Sequence, residues 1–185
     1  MGAGLVIRAV SEALIDVIHD ATPDLGQWVE LHSLSTSETG VPGSTKAALA
    51  LVAVEPHPHM LNRPLIETGA GLVRAPLYLK LHYLITYMGG HDEAQTRIAR
   101  VVQAFHTTPM LEGPALQPPL AGAVDSLAIR LSSPTADERN QVWGALGRPG
   151  RLALFYEVDV APVSVIERDG AGRVKAHDIR YVDAL

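Results

Sequence analysis

Residues 75–111, APLYLKLHYLITYMGGHDEAQTRIARVVQAFHTTPML, carry the sharpest pattern of apolar and polar positions in the chain. Leu77, Leu79 and Leu81 alternate with Tyr78, Lys80 and His82, the period of two expected of a strand with one buried face. Over residues 83–88 both parities turn apolar. Leu81, Leu84, Ile85 and Met88 also fit helical spacing, but Tyr, Ile and Thr favour a pleated surface and Gly89-Gly90 stops the run, so the pattern predicts a central strand. A helix opens at His91 or Asp92. Ala94, Ile98, Val101, Val102 and Phe105 share one stripe that faces the core, while Arg97, Arg100 and Gln103 lie off it on the exposed face. Asp92 and Glu93 suit the positive end of this helix, His106 suits the negative end, and Pro109 forbids continuation.

The same reading runs through the rest of the chain. Val6, Val10, Ala13, Leu14, Val17 and Ile18 form a helical stripe opposed by Arg8, Ser11, Glu12, Asp16 and His19, and Thr22-Pro23-Asp24 with Gly26 ends it. Residues 28–34 predict a first strand, with Trp28, Glu30 and His32 on one face and Val29 and Leu31 on the other. After a polar, Gly- and Pro-punctuated loop, residues 46–55 (KAALALVAVE) predict a second strand with neighbours on both sides. Residues 55–76 hold four prolines and no sustained period, which predicts a long excursion from the sheet. Residues 125–131 predict a strand with Leu127, Ile129 and Leu131 inward. Thr135-Ala136-Asp137-Glu138 fits a capping box for a short helix with Val142, Trp143 and Leu146 on its apolar edge, and Gly147 ends it. Leu152, Leu154, Tyr156, Val158 and Val160 alternate cleanly until Pro162, where Val163 and Val165 take the opposite parity, as at a bulge or strand end on a sheet edge. Residues 173–185 read as either a last edge strand or a tail. The order α-β-β-β-α-β-α-β predicts an α+β fold: one domain over residues 1–168, with a mixed or largely antiparallel sheet flanked by helices and long Pro/Gly-rich loops.

Composition narrows the class. At 185 residues the chain is long enough for one domain with a real core. The absence of cysteine removes disulfides, thiolate metal sites and cysteine nucleophiles, and favours an intracellular folding compartment. No uncharged run approaches the ~18 residues of a membrane span, which predicts a soluble chain without membrane partners. A net charge of -5 argues against a nucleic-acid binder, which needs a basic stripe. Only 19% of residues are charged against 47% hydrophobic, which fits either an Ala-rich composition or a surface covered in an assembly.

Catalytic signatures are missing: there is no GxGxxG, Walker-type loop, GxSxG elbow or HExxH. Glu55-Pro56-His57-Pro58-His59 is the best metal candidate, because an extended Pro-stiffened segment aims two imidazoles and a carboxylate in similar directions, but no fourth ligand is identifiable. A small enzyme or ligand-binding domain built on this loop is the alternative reading; the residues otherwise imply no catalysis, cofactor or metal. Arg97 and Arg100 can meet an anion or a partner's carboxylate, against the simpler reading of solvated cations. Asn62-Arg63-Pro64 places an arginine in the long loop, where it either clamps the loop to the body or reaches a neighbouring subunit.

Several blocks in this order resemble the tail-terminator, or cap, proteins of contractile phage-tail-like injection systems, in the family defined by their N-terminal domain. They are VSEALIDVI, ALALVAVEPHPHMLNRPL, LYLKLHYLITY, RIARVVQAFHTTPML and VWGALGRPGRLALFYEV, spaced by Asn62-Arg63-Pro64, Leu81-His82-Tyr83-Leu84, residues 106–111, and Trp143 with Leu146 and Tyr156. Ala99 and Arg100 depart from the small Leu-Gly pair common in relatives, and the sequence ends soon after the last of these blocks, where longer relatives carry an extension. The resemblance implies a homohexameric ring at the baseplate-distal end of the inner tube, anchoring the last sheath layer, with itself, the tube protein and the sheath protein as partners. It also implies assembly in the cytoplasm into a particle that can be released. Asn62, Arg63, Pro64, Arg74, Arg97, Arg100, Pro162, Arg173 and Arg180 are the residues expected at such interfaces.

Overall fold

The computed structural model describes residues 3–36, 42–60, 64, 66–68, 71–73 and 75–163. Helix α1 (Ala3–Ala21) leads through a 3-10 turn (Pro23–Leu25) to the short strand β1 (Val29–Leu31) and then to β2 (Ala47–Pro56). A two-stranded hairpin, β3 (Ile66–Thr68) with β4 (Gly71–Val73), precedes β5 (Leu77–Tyr87) and α2 (His91–Thr107). Strands β6 (Met110–Glu112) and β7 (Ser126–Ser132), helix α3 (Ala136–Leu146) and β8 (Ala153–Val163) complete the described order. Six strands form one sheet in the order β1-β2-β5-β8-β7-β6. All of its neighbours are antiparallel except β1 with β2, so the expected α+β fold with a largely antiparallel sheet is the one observed. Among the described residues no helix is long and apolar enough to cross a membrane.

Strand β5 is the axis of the sheet, as its pattern predicts, and its two parities feed two cores. Leu79, Leu81, Tyr83, Ile85 and Tyr87 face α1 and α2, joining Val10, Leu14, Ile18, Val101 and Phe105. Leu84, on the other parity, meets Ala48, Ala50 and Trp143 beneath α3. Gly89 ends β5 for a steric reason: a Cβ there would lie 2.4 Å from the Ser44 carbonyl oxygen and 2.4 Å from the Tyr87 ring. Helix α3 begins with the predicted capping box, in which Glu138 N–H donates to Thr135 Oγ1 and Thr135 N–H donates to the Glu138 carboxylate. It ends at Gly147 in the left-handed region (φ 68°), a conformation glycine adopts without a Cβ penalty.

Several expectations are corrected. The first strand covers three residues instead of seven, and Leu31 faces solvent, because β1 is an edge strand paired only with β2. Leu131 is 56% exposed, since β6 pairs with β7 only over residues 126–128 and leaves the far end of that strand uncovered. Val102 is 36% exposed, and Ala104 lies inside instead. Ser11 and His19, expected on the polar face of α1, are buried. The excursion over residues 55–76 contains the β3–β4 hairpin. Pro162 lies beside the expected bulge, where Leu77 pairs with Val163 and Leu79 with Val160, but β8 is flanked by both β5 and β7 and is no sheet edge. The sheet edges are β1 and β6.

Candidate assembly surfaces

The candidate metal loop does not stay extended. Residues Pro58–Met60 form a 3-10 turn in which the Met60 N–H donates to the His57 carbonyl (3.0 Å). This leaves the His57 and His59 rings 5.7 Å apart and tilted by 54°. The third intended ligand points elsewhere, with the Glu55 carboxylate 3.5 Å from His82 Nε2. Among the described residues no three or more His, Cys, Asp or Glu side chains gather into a metal-binding group.

That Glu55–His82 pair belongs to a polar ladder across four strands. The register aligns Glu55 with Lys80 and Lys80 with Asp159, then His82 with Glu157 and Glu157 with Arg130. Opposite charges therefore meet diagonally: Lys80 Nζ donates to Glu157 at 3.0 Å, Arg130 pairs with Asp159, and Ser132 Oγ donates to the second Glu157 oxygen at 3.1 Å. The hydrogen bond from Lys80 is the first cause holding the Glu157 carboxyl below its usual range, aided by Ser132 and His82 against the cost of burial.

On the helical side the arginines have intramolecular partners. Arg97 keeps only 21% of its side chain exposed; its guanidinium pairs with Glu93 at 2.9 Å and lies over the Trp28 and Tyr87 rings, 5.5 and 5.8 Å from their centroids. This corrects the expectation of a solvated cation, since Trp28 reaches α2 from just before β1. Arg100 reaches Asp24 at 3.3 Å. Beside it an open cleft of about 600 Å³ separates α1 from α2 and is lined by Asp16, Asp20, Thr22, Arg100, Gln103 and Gln117.

Sequence reasoning missed two buried polar joints. Ser11 Oγ and Tyr83 Oη are 2.9 Å apart and tie α1 to the central strand; burial pushes the Tyr83 phenol up to about 12. His19 Nε2 accepts the Val29 N–H at 3.1 Å and ties α1 to β1. Neither has a sequence signal beyond a small or polar residue one step from an apolar stripe. Of the expected interface residues, Pro64 is exposed and Pro162 is half-buried. Asn62, Arg63, Arg74, Arg173 and Arg180 lie outside the described residues, as does the segment over residues 173–185.

The polar groups that meet here join elements of the fold, and among the exposed apolar residues Leu31 and Met110 lie on the short edge strands β1 and β6. A solved structure shares this fold. The chain is similar to the sheath/tube terminator, in its extended state, of PVC, an extracellular contractile injection system. That match has 18% identity and a TM-score of 0.55, over 97% of this chain and 64% of the other. It is also similar to the tube-terminating cap of the anti-feeding prophage, with 18% identity and a TM-score of 0.49, over 89% of this chain and 60% of the other. The chain thus spans less than two thirds of the length of either. No curated protein matches the sequence. The sequence matches the Pvc16 N-terminal domain over residues 9–175, from the middle of α1 past the end of β8, and the chain belongs to that family.

Proposed function

We propose that this chain is a structural subunit that caps the end of the inner tube in a contractile injection particle, without catalysis. Family membership across residues 9–175 carries this reading, and the likeness of nearly the whole chain to a protein described as a sheath/tube terminator supports it. In this reading the subunits close a ring of six at the baseplate-distal end and hold the last sheath layer. A terminator needs lateral contacts that close the ring, one face complementary to the tube, and an opposite face that recruits no further layer. The loop over residues 55–76, with Asn62, Arg63, Pro64 and Arg74, supplies lateral or tube contacts. On α2 it is Arg100, half-exposed beside Asp24, that adds a charged contact, because Arg97 is taken up by Glu93 and the Trp28 and Tyr87 rings. The segment over residues 173–185, with Arg173 and Arg180, pairs with a sheath arm by strand addition in this reading.

Loop and tail then fail differently. Deleting residues 65–74 is expected to leave a folded subunit that no longer caps tubes, and truncation after residue 172 is expected to leave capped tubes with loosened sheath. Electron microscopy of particles carrying each deletion reads tube length and sheath retention directly. Normal tubes with intact sheath in both would overturn the assignment. A subunit that binds free tube or sheath protein and is absent from finished particles would identify an assembly chaperone instead.

A further inference from the structure

The edge strand β1 is fastened to the body by an imidazole. In parallel pairing only alternate residues of a strand bond to a given neighbour. Here the Trp28 carbonyl accepts from the Ala47 N–H (2.7 Å) and the His32 N–H donates to the Leu49 carbonyl (3.0 Å). Val29, of the opposite parity, therefore turns its N–H away from β2, where an edge strand has no further backbone partner. His19, in the last turn of α1, fills that place: its Nε2 accepts the Val29 N–H at 3.1 Å. A ring nitrogen accepts only when it carries no proton, so the neutral tautomer with hydrogen on Nδ1 is required. His19 is only 9% exposed, and its buried Nδ1 has no hydrogen-bond partner among the described residues.

We propose that His19 is an acid-sensitive latch for β1, holding the strand while neutral and releasing it when a proton from solvent binds Nε2. Once protonated, the Nε2–H faces the Val29 N–H, donor against donor, and the ring must turn away. The charged groups acting on it are Asp16 and Asp20 on its own helix, which favour the imidazolium, and Lys46 at the entry to β2, which opposes it. Burial outweighs the carboxylates and places the ring below its ordinary value of 6.5. The sign follows. A histidine whose folded value is lowered contributes its full stability above the unfolded value and loses it as pH falls from there toward the folded value. Release uncovers the β2 edge at Ala47, Ala48 and Leu49, which β1 occupies in the closed form.

A second imidazole provides the control: His32 Nδ1 accepts the Leu34 N–H at 2.8 Å, just beyond the other end of β1. Hydrogen-exchange protection factors of the Val29, Glu30 and His32 amides, from about pH 7.5 to about pH 5, read the latch across the range in which histidine titrates. Wild type is expected to lose protection roughly ten-fold over this range. His19→Gln, which keeps an acceptor but cannot titrate, is expected to lose none of it over the same range, and His32→Asn is expected to behave as wild type. Ring ¹⁵N shifts of unsubstituted protein report the tautomer independently of any variant. Protection in wild type that does not change with pH, an equal loss in His19→Gln, or a proton resident on Nε2 at neutral pH would each overturn the proposal.

Discussion

Arg97 works as a packing residue that happens to be charged. Its planar guanidinium covers Trp28 and Tyr87 while Glu93 neutralises it, and the Glu93 carboxyl is held low first by the Arg97 hydrogen bond. Arg97→Ala is expected to lower stability by about 1 kcal/mol, and Arg97→Lys to recover only part of that, because an ammonium keeps the charge without the stacking plane. Equal denaturation midpoints for Arg97→Ala and wild type would return Arg97 to the class of solvated cations. Phe105, about two turns further along α2, tests the apolar core itself. It is buried and meets Tyr156 edge-on with centroids 4.8 Å apart, so Phe105→Ala is expected to cost roughly 3–5 kcal/mol. Comparing the two variants in urea separates the stacked cation from the apolar core beneath the same helix.

Of the three α-helices, α3 has the fewest buried side chains. It contributes one buried side chain, Trp143, to the second core, and its N-terminus depends on the Thr135–Glu138 box. Thr135→Ala is expected to cost about 1 kcal/mol. The loss should show first as raised exchange of the α3 amides, with β5 and β8 unchanged, because a short helix with few buried side chains opens before the central strands do. Uniform loss of protection across the sheet would mean that α3 and the sheet unfold as one unit.

For the molecule as a whole, the ladder across β2, β5, β8 and β7 makes acid stability a property of the sheet. Glu157 is depressed below its ordinary 4.5, first by Lys80. Its contribution is therefore complete above the unfolded value and is lost as pH falls through the lowered folded one. Glu157→Gln is expected to be less stable than wild type at neutral pH and to converge with it in strong acid, as urea titrations at successive pH values would show. A constant gap at every pH would assign the loss to packing alone.

Long periodic runs were legible in the chain because their causes are local. The alternation around β5, the stripes of α1 and α2, the capping box of α3 and the slip at Pro162 each depend on residues a few positions apart. The family likeness was legible too, since it rests on the order and spacing of such blocks. What lay beyond reach was decided by contacts across the chain. Strands β3, β4 and β6 have three residues each, too few for a period, and exist because a neighbouring strand completes their hydrogen bonds, while the strand expected over residues 28–34 is cut to three residues where its pairing with β2 ends. Leu131 and Val102 obey the apolar pattern yet face solvent, because none of the described elements passes over them. His19, Ser11 and Arg97 break that pattern yet lie inside or half inside, because Val29, Tyr83 and two aromatic rings meet them there. Periodicity determines which face of an element is apolar, and tertiary packing alone decides which part of that face is covered and which polar groups acquire partners.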